Sequence, residues 1–219
     1  MSGAVSTADA TTEVTVRGIA AGGSGVADLP DGRVVFVPRT APGDRVRIRL
    51  VKERPRWAEG AVERLVEPAE RRVAPPCPLY SRCGGCQMQH LPYEAQLEWK
   101  GRIVADALER IGGLGAVPQV DVVGAPSPLG YRSRVSFTLR RLRGGRVVAG
   151  FHALGRPAHV VDVDGCLLAD PAISDAWAAL RRGWGPGAGL LPVAGRLRLT
   201  LRAASEGVEL LVEGGSRGW

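Results

Sequence analysis

The sequence predicts an α+β protein in two parts, a small N-terminal β-barrel followed by a domain of mostly antiparallel strands with two helices. Three observations predict it. Residues 45–52, RVRIRLVK, alternate strictly, with Val46, Ile48 and Leu50 on one face and Arg45, Arg47 and Arg49 on the other, the period of a half-buried strand. A polar stretch ending in Pro75-Pro76 then breaks the chain. Beyond it, Leu97, Val104, Leu108 and Ile111 repeat at helical spacing, and short β-type segments return afterwards.

The elements follow in order. Residues 1–11, rich in Ser, Thr and Ala, read as a disordered lead-in. Residues 12–68 form the all-β unit. TEVTVRGIA is its first strand, Gly22-Gly23-Ser24-Gly25 a turn, RVVFV at 33–37 a strand, and Pro42-Gly43-Asp44 a turn before the 45–52 strand. WAEGAVERLV at 57–66 closes the unit. Short strands with glycine turns suit a small barrel of the OB kind, and such barrels bind single-stranded nucleic acid. The arginine face of 45–52, with Arg47 and Arg49, marks the side an RNA would meet. Residues 69–76 are the linker, and 77–219 the second domain.

In that domain the cysteine loop 77–90 precedes a helix over 92–111, stopped by Gly112-Gly113. VDVVG, RVSFTLRR, RVVAGFH and AHVVDVDG are read as strands, with Gly144-Gly145 turning the hairpin. Asp170 is positioned as N-cap of a second helix reaching about Arg182, with Pro171 in its first turn. RLRLTLRAA and GVELLVEG form a last hairpin.

Composition bounds the function. The 219 residues carry a formal net charge of +7, which favours an anionic partner. Only Lys52 and Lys100 among the 29 basic residues are lysine, so the total reflects residue usage and local clustering must locate the partner. No apolar run reaches membrane-spanning length, and the N-terminus has neither the basic nor the apolar region of a secretory signal. These features predict a cytoplasmic protein with no membrane partner.

The four cysteines hold the most specific signal. Cys77, Cys83 and Cys86 follow a C-x5-C-x2-C pattern, and Cys166 lies 80 residues further on. Four thiolates suit Zn²⁺ or an iron–sulfur cluster. Zinc ribbons pair their ligands as two close knuckles, whereas only Cys83 and Cys86 are close here. The three-plus-one layout fits a cubane better, with zinc and unligated thiols as alternatives.

Cys77-Pro78, Cys83-Gly84-Gly85-Cys86-Gln87, Gln89-His90, Tyr93 and Gln96 together resemble the signature of the bacterial S-adenosylmethionine-dependent RNA uracil-5-methyltransferase family. Gly130-Tyr131-Arg132 and Asp164-Gly165-Cys166 resemble further parts of that family's central domain. The resemblance covers roughly residues 12–213 and implies a TRAM-type barrel, then a central domain with a [4Fe–4S] cluster on Cys77, Cys83, Cys86 and Cys166. It implies an RNA partner, ribosomal or transfer RNA, and no DNA. Methylthiotransferases, which also join a TRAM domain to a cluster, differ in both cysteine spacing and domain order.

The sequence departs from the family in one large respect. The family's catalytic cysteine attacks C6 of the uracil, and a class I methyltransferase domain holds the cofactor. Here the cluster accounts for all four cysteines, and no strand–glycine turn–helix segment of the cofactor-binding kind occurs. The expectation is that the catalytic domain is absent, that no residue here is catalytic or cofactor-binding, and that S-adenosylmethionine enters only through the missing domain. The chain then reads as a truncated recognition portion, with a stand-alone noncatalytic iron–sulfur RNA-binding module as the alternative.

Arginine clustering locates the RNA contacts. Residues 130–150 hold six arginines and no acid. Arg132 and Arg134 share a strand face, Arg140 and Arg141 follow, and Tyr131 is placed to stack a base.

Overall fold

In the computed structural model of the protein, which describes residues 11–215, the chain forms eleven strands and two α-helices. It divides into two compact units that are not sequential: the chain up to Pro75 with Gln87–Val123, and Pro76–Cys86 with Gly124 onward. No helix among the described residues is long and apolar enough to cross a membrane.

The first unit is built on a six-stranded sheet. Its strands are β1 (Thr11–Thr15), β2 (Gly18–Ile19), β3 (Ser24–Asp28), β4 (Val34–Pro38), β5 (Arg45–Glu53) and β6 (Trp57–Glu67), ordered β1-β5-β6-β4-β3-β2. The expected lead-in lies outside the described residues except for Thr11, which opens β1. The expected first strand is interrupted between Thr15 and Gly18, and β3 was not among the segments the sequence pattern marked. Its SGVAD has one β-branched residue and an interior glycine, so local propensity is weak. Pairing with β4 in register from Ser24–Pro38 to Asp28–Val34 makes it a strand. Alternation in β5 is as read: Val46 and Ile48 are fully buried, while Arg47 and Arg49 are exposed. Val14, Val16, Ala27, Val35, Val37, Val46, Ile48 and Ala58 fill the barrel interior.

Helix α1 (Tyr93–Arg110) belongs to this unit, where Leu91 and Ala95 pack with Ile19, Ala41 and Ala69. A buried carboxylate ties the unit together. Asp44 accepts hydrogen bonds from the backbone N–H of Ala41 (2.6 Å) and Ala69 (2.8 Å) and from the Arg72 guanidinium. The fully buried His90 lies among the same groups, its carbonyl accepting from Val73 N–H at 3.0 Å.

The second unit is a five-stranded antiparallel sheet, order β11-β10-β7-β8-β9, from β7 (Arg134–Arg141), β8 (Val147–Ala153), β9 (Arg156–Asp162), β10 (Arg196–Ala204) and β11 (Gly207–Glu213). The VDVVG segment at 120–124 is not a strand; with no partner strand to complete its ladder it runs as irregular chain. Helix α2 (Pro171–Gly183) starts as expected, with the Asp170 carboxylate accepting from Ala172 N–H at 2.8 Å. One sheet face and α2 enclose the core. Trp177 is fully buried, stacked on Phe137 at 3.8 Å between ring centroids, and donates to the Val163 carbonyl at 2.8 Å. Leu139, Ile173, Leu197, Leu199 and Leu201 surround the pair.

Candidate functional site

All four cysteines belong to the second unit. The 77–86 loop is stitched to the end of β8: Cys83 forms an isolated bridge with Ala153, Gly84 N–H donates to the His152 carbonyl (2.9 Å), and Leu154 N–H donates to the Arg82 carbonyl (2.9 Å). A Cβ on Gly84 would sit 3.0 Å from that His152 carbonyl, so a side chain here would crowd the stitch. Cys166 is held from the other side, where Arg132 forms a bridge with Ala169 and Arg132 N–H donates to the Leu168 carbonyl at 2.8 Å.

None of the four forms a disulfide, and each is half-buried. The Cys86 thiol is pushed above its ordinary value, first by burial and next by Cys166, with Cys83 and Cys77 adding to it and Arg132 opposing. All three other cysteines are therefore within electrostatic reach of Cys86. Gly85 N–H points at the Cys83 sulfur, 3.4 Å away. Among the described residues, no three His, Cys, Asp or Glu side chains converge closely enough to hold a single metal ion.

The expected RNA contacts separate into groups. On β7, Arg134 and Arg140 point out with Ser136 and Thr138 between them. Register on β10 sets Arg202 opposite Arg134 and Arg196 opposite Arg140, with Arg198 opposite Thr138. The Ser136 and Thr200 hydroxyls bond across the middle at 2.8 Å. Among the described residues Arg134, Arg140, Arg196 and Arg202 make no ion pair; Arg198 meets Glu213 at 3.5 Å, and Arg140 donates to the Ala158 carbonyl at 2.6 Å. Like charges directly opposite in a sheet are destabilising, and here two arginine pairs of that kind flank a hydroxyl pair. Sequence reasoning missed Arg196, Arg198 and Arg202, although RLRLTLRAA alternates as RVRIRLVK does.

Arg141 is engaged within the protein. One residue from Arg140, it points to the opposite side and donates to the carbonyls of Gly187, Ala188, Leu191, Pro192 and Ala194 at 2.6–3.2 Å. It organises the loop before β10 instead. Arg47 and Arg49 are exposed but engaged, Arg47 with Glu13 at 2.9 Å and Arg49 with Glu63 at 3.7 Å. The acids come from strands that the sequence alone could not set beside β5. Tyr131 is 56% exposed, and the Arg132 guanidinium lies 6.0 Å from its ring centre.

Comparison with known proteins decides the relationship. The TRAM domain family matches residues 7–62. An RNA methyltransferase of Thermosynechococcus vestitus is 40% identical over 177 residues, covering 81% of this chain and 39% of that protein. The 23S rRNA (uracil(1939)-C(5))-methyltransferase RlmD of Chromohalobacter salexigens is 37% identical over 174 residues, covering 79% and 36%.

The chain is homologous to the RNA uracil methyltransferases.

Among solved structures, the Pyrococcus abyssi tRNA (uracil-54, C5)-methyltransferase in complex with S-adenosyl-L-homocysteine shares the fold. Its TM-score is 0.60 at 26% identity, over 91% of this chain and 44% of that one. This chain thus spans well under half the length of its relatives in the family.

Proposed function

We propose that this chain is the RNA-recognition portion of an RNA uracil-5-methyltransferase, that it grips ribosomal or transfer RNA through the outer face of β7 and β10, and that methyl transfer from S-adenosylmethionine belongs to the remainder of such an enzyme. The carrying observation is the register that sets arginine opposite arginine twice, Arg134 with Arg202 and Arg140 with Arg196. Glu209 stands opposite Arg202 on β11 and offsets one of these charges, and the excess positive charge that remains along the strands suits phosphates. Guanidinium groups hold phosphate oxygens by paired N–H donors, and the Ser136–Thr200 hydroxyl pair, with Thr200 buried, fixes the two strands between them.

The reading includes a [4Fe–4S] cluster on Cys77, Cys83, Cys86 and Cys166. The donor set fits: four half-buried thiols outside any disulfide, with a backbone N–H directed at one sulfur. When bound, the cluster ties the 77–86 loop to the Cys166 segment, and its contribution is to folding.

The test is the salt dependence of binding to a single-stranded 20-nucleotide RNA. Replacing Arg134 and Arg202 together by Ala is expected to reduce the slope of log K against log [salt] by about 1.4, two contacts at ~0.7 each. The melting temperature should hold, since the Arg134–Arg202 repulsion and the Arg202–Glu209 attraction are lost together. An unchanged slope would return this face to solvent and overturn the reading.

A further inference from the structure

The barrel carries a second feature that the arginine face does not explain. On its outer surface β4 pairs with β3 on one side and, in parallel, with β6 on the other, in a register that sets Pro38 opposite Ser24 and Phe36 opposite Glu59. Phe36, Pro38, Trp57, Ser24 and Glu59 line a cleft of about 370 Å³, together with Ala20 and Ala21. That size lies within the range of clefts that take small ligands. Phe36 and Trp57 meet edge to face, with ring centres 6.1 Å apart, and both are only half-buried. Two aromatic rings left half open on the surface of a small barrel gain little from their position unless something covers them.

The surrounding charges say what. Lys52 lies 4.9 Å from the Trp57 ring centre and 3.0 Å from Glu59. The hairpin tip between β5 and β6 presents Arg54 and Arg56, both exposed and without an ion pair among the described residues. An aromatic wall beside a cationic tip is the arrangement that takes one unstacked base with its phosphates alongside. The outer face of the second and third barrel strands, with the loops at its ends, is also the face from which barrels of the OB kind bind oligonucleotides. Among the described residues, Glu59 is the only carboxylate in the wall. Lys52 offsets its charge through one oxygen, which leaves acceptor sites for N–H groups. Guanine's Watson–Crick edge presents two neighbouring N–H donors, whereas uracil, cytosine and adenine each place an acceptor beside their donor.

We propose that this cleft binds a single unstacked nucleobase of the RNA substrate, stacked on Trp57 and favouring guanine through Glu59. The proposal rests on the RNA reading above and adds a base-specific subsite on a separate surface of the chain.

The experiment uses the full chain and fluorescein-labelled pentaribonucleotides, UUGUU and UUUUU, read by fluorescence anisotropy at low salt. The wild type is expected to bind UUGUU about tenfold tighter than UUUUU. Trp57→Ala should weaken UUGUU binding about tenfold, Trp57→Phe should restore most of it, and Glu59→Gln should erase the preference while binding persists. Equal binding of the two pentamers by the wild type, or indifference to Trp57→Ala, overturns the subsite. In that case 20-nucleotide RNA binding that remains sensitive to Arg134 and Arg202 leaves the wider RNA reading standing. Absence of RNA binding by the wild type removes both.

Discussion

Arg140 and Arg141 are adjacent in sequence, and their opposite roles make Arg141 the sharpest test of the geometry. Arg141→Ala removes a guanidinium that bridges five carbonyls between Gly187 and Ala194. Two of the contacts are short, 2.6 Å to Ala194 and 2.7 Å to Ala188; the other three are 3.1–3.2 Å. A hydrogen bond to a charged group contributes about 1.5 kcal/mol at the low end, so the short pair alone is worth roughly 3 kcal/mol. The long contacts add less, because water replaces them in the variant. Ala188 is also held at φ 55°, a backbone region disfavoured for residues with a Cβ, so the loop has little reason to keep its path once the guanidinium is gone. At about 2–4 °C per kcal/mol for a chain of this size, the melting temperature should fall by roughly 6–12 °C. The assay is thermal unfolding followed by circular dichroism, paired with the salt slope for RNA. The slope should not change. A variant that melts with the wild type while its salt slope drops by about 0.7 would show that Arg141 is a phosphate contact and that the loop bonding is incidental.

The remaining predictions concern the cysteines and the buried polar group of the first unit. Anaerobically reconstituted protein should bind ~4 irons per chain and absorb near ~400 nm, and Cys83→Ser should lose both; full iron content in that variant would show that the ligand set is different. Asp44→Ala strands the partly buried Arg72 and two backbone N–H groups and should destabilise the first unit by about 3 kcal/mol, measured by urea denaturation; a loss under 1 kcal/mol would refute the clamp. His90 is held below its ordinary 6.5, first by burial, with Arg72 and Arg39 adding and the Thr40 backbone and Asp44 opposing. Its folded value lies below its unfolded one, so the unfolded chain takes up the proton first and stability falls as pH drops below about 6.5, until the folded value is reached. The ion-paired Glu67 and Glu98 are held below 4.5 by Arg45 and Arg71, and their contribution is lost only at lower pH. His90→Gln should flatten the stability profile between pH 7 and 5; an unchanged slope there would assign it to another group.

Much of this protein was legible before any coordinate. Strict alternation marks β5, β7 and β10 because a half-buried sheet requires it, and Asp170-Pro171 marks the start of α2 because a helix N-terminus needs both an acceptor and no donor. The residues around the cysteines resemble a family signature, and the homology to the RNA uracil methyltransferases bears that resemblance out. The sequence alone did not show which arginines are available. Side-chain direction alternates locally, but partnership is set by neighbouring strands: β1 and β6 bring Glu13 and Glu63 to Arg47 and Arg49, the loop before β10 claims Arg141, and β10 places Arg202 against Arg134. Likewise α1 was read as part of the cysteine domain because it follows the cysteines in the chain, yet it packs with Ile19, Ala41 and Ala69. Spacing along a chain reports which face a residue occupies; only the register between strands, a long-range property, decides what stands opposite it.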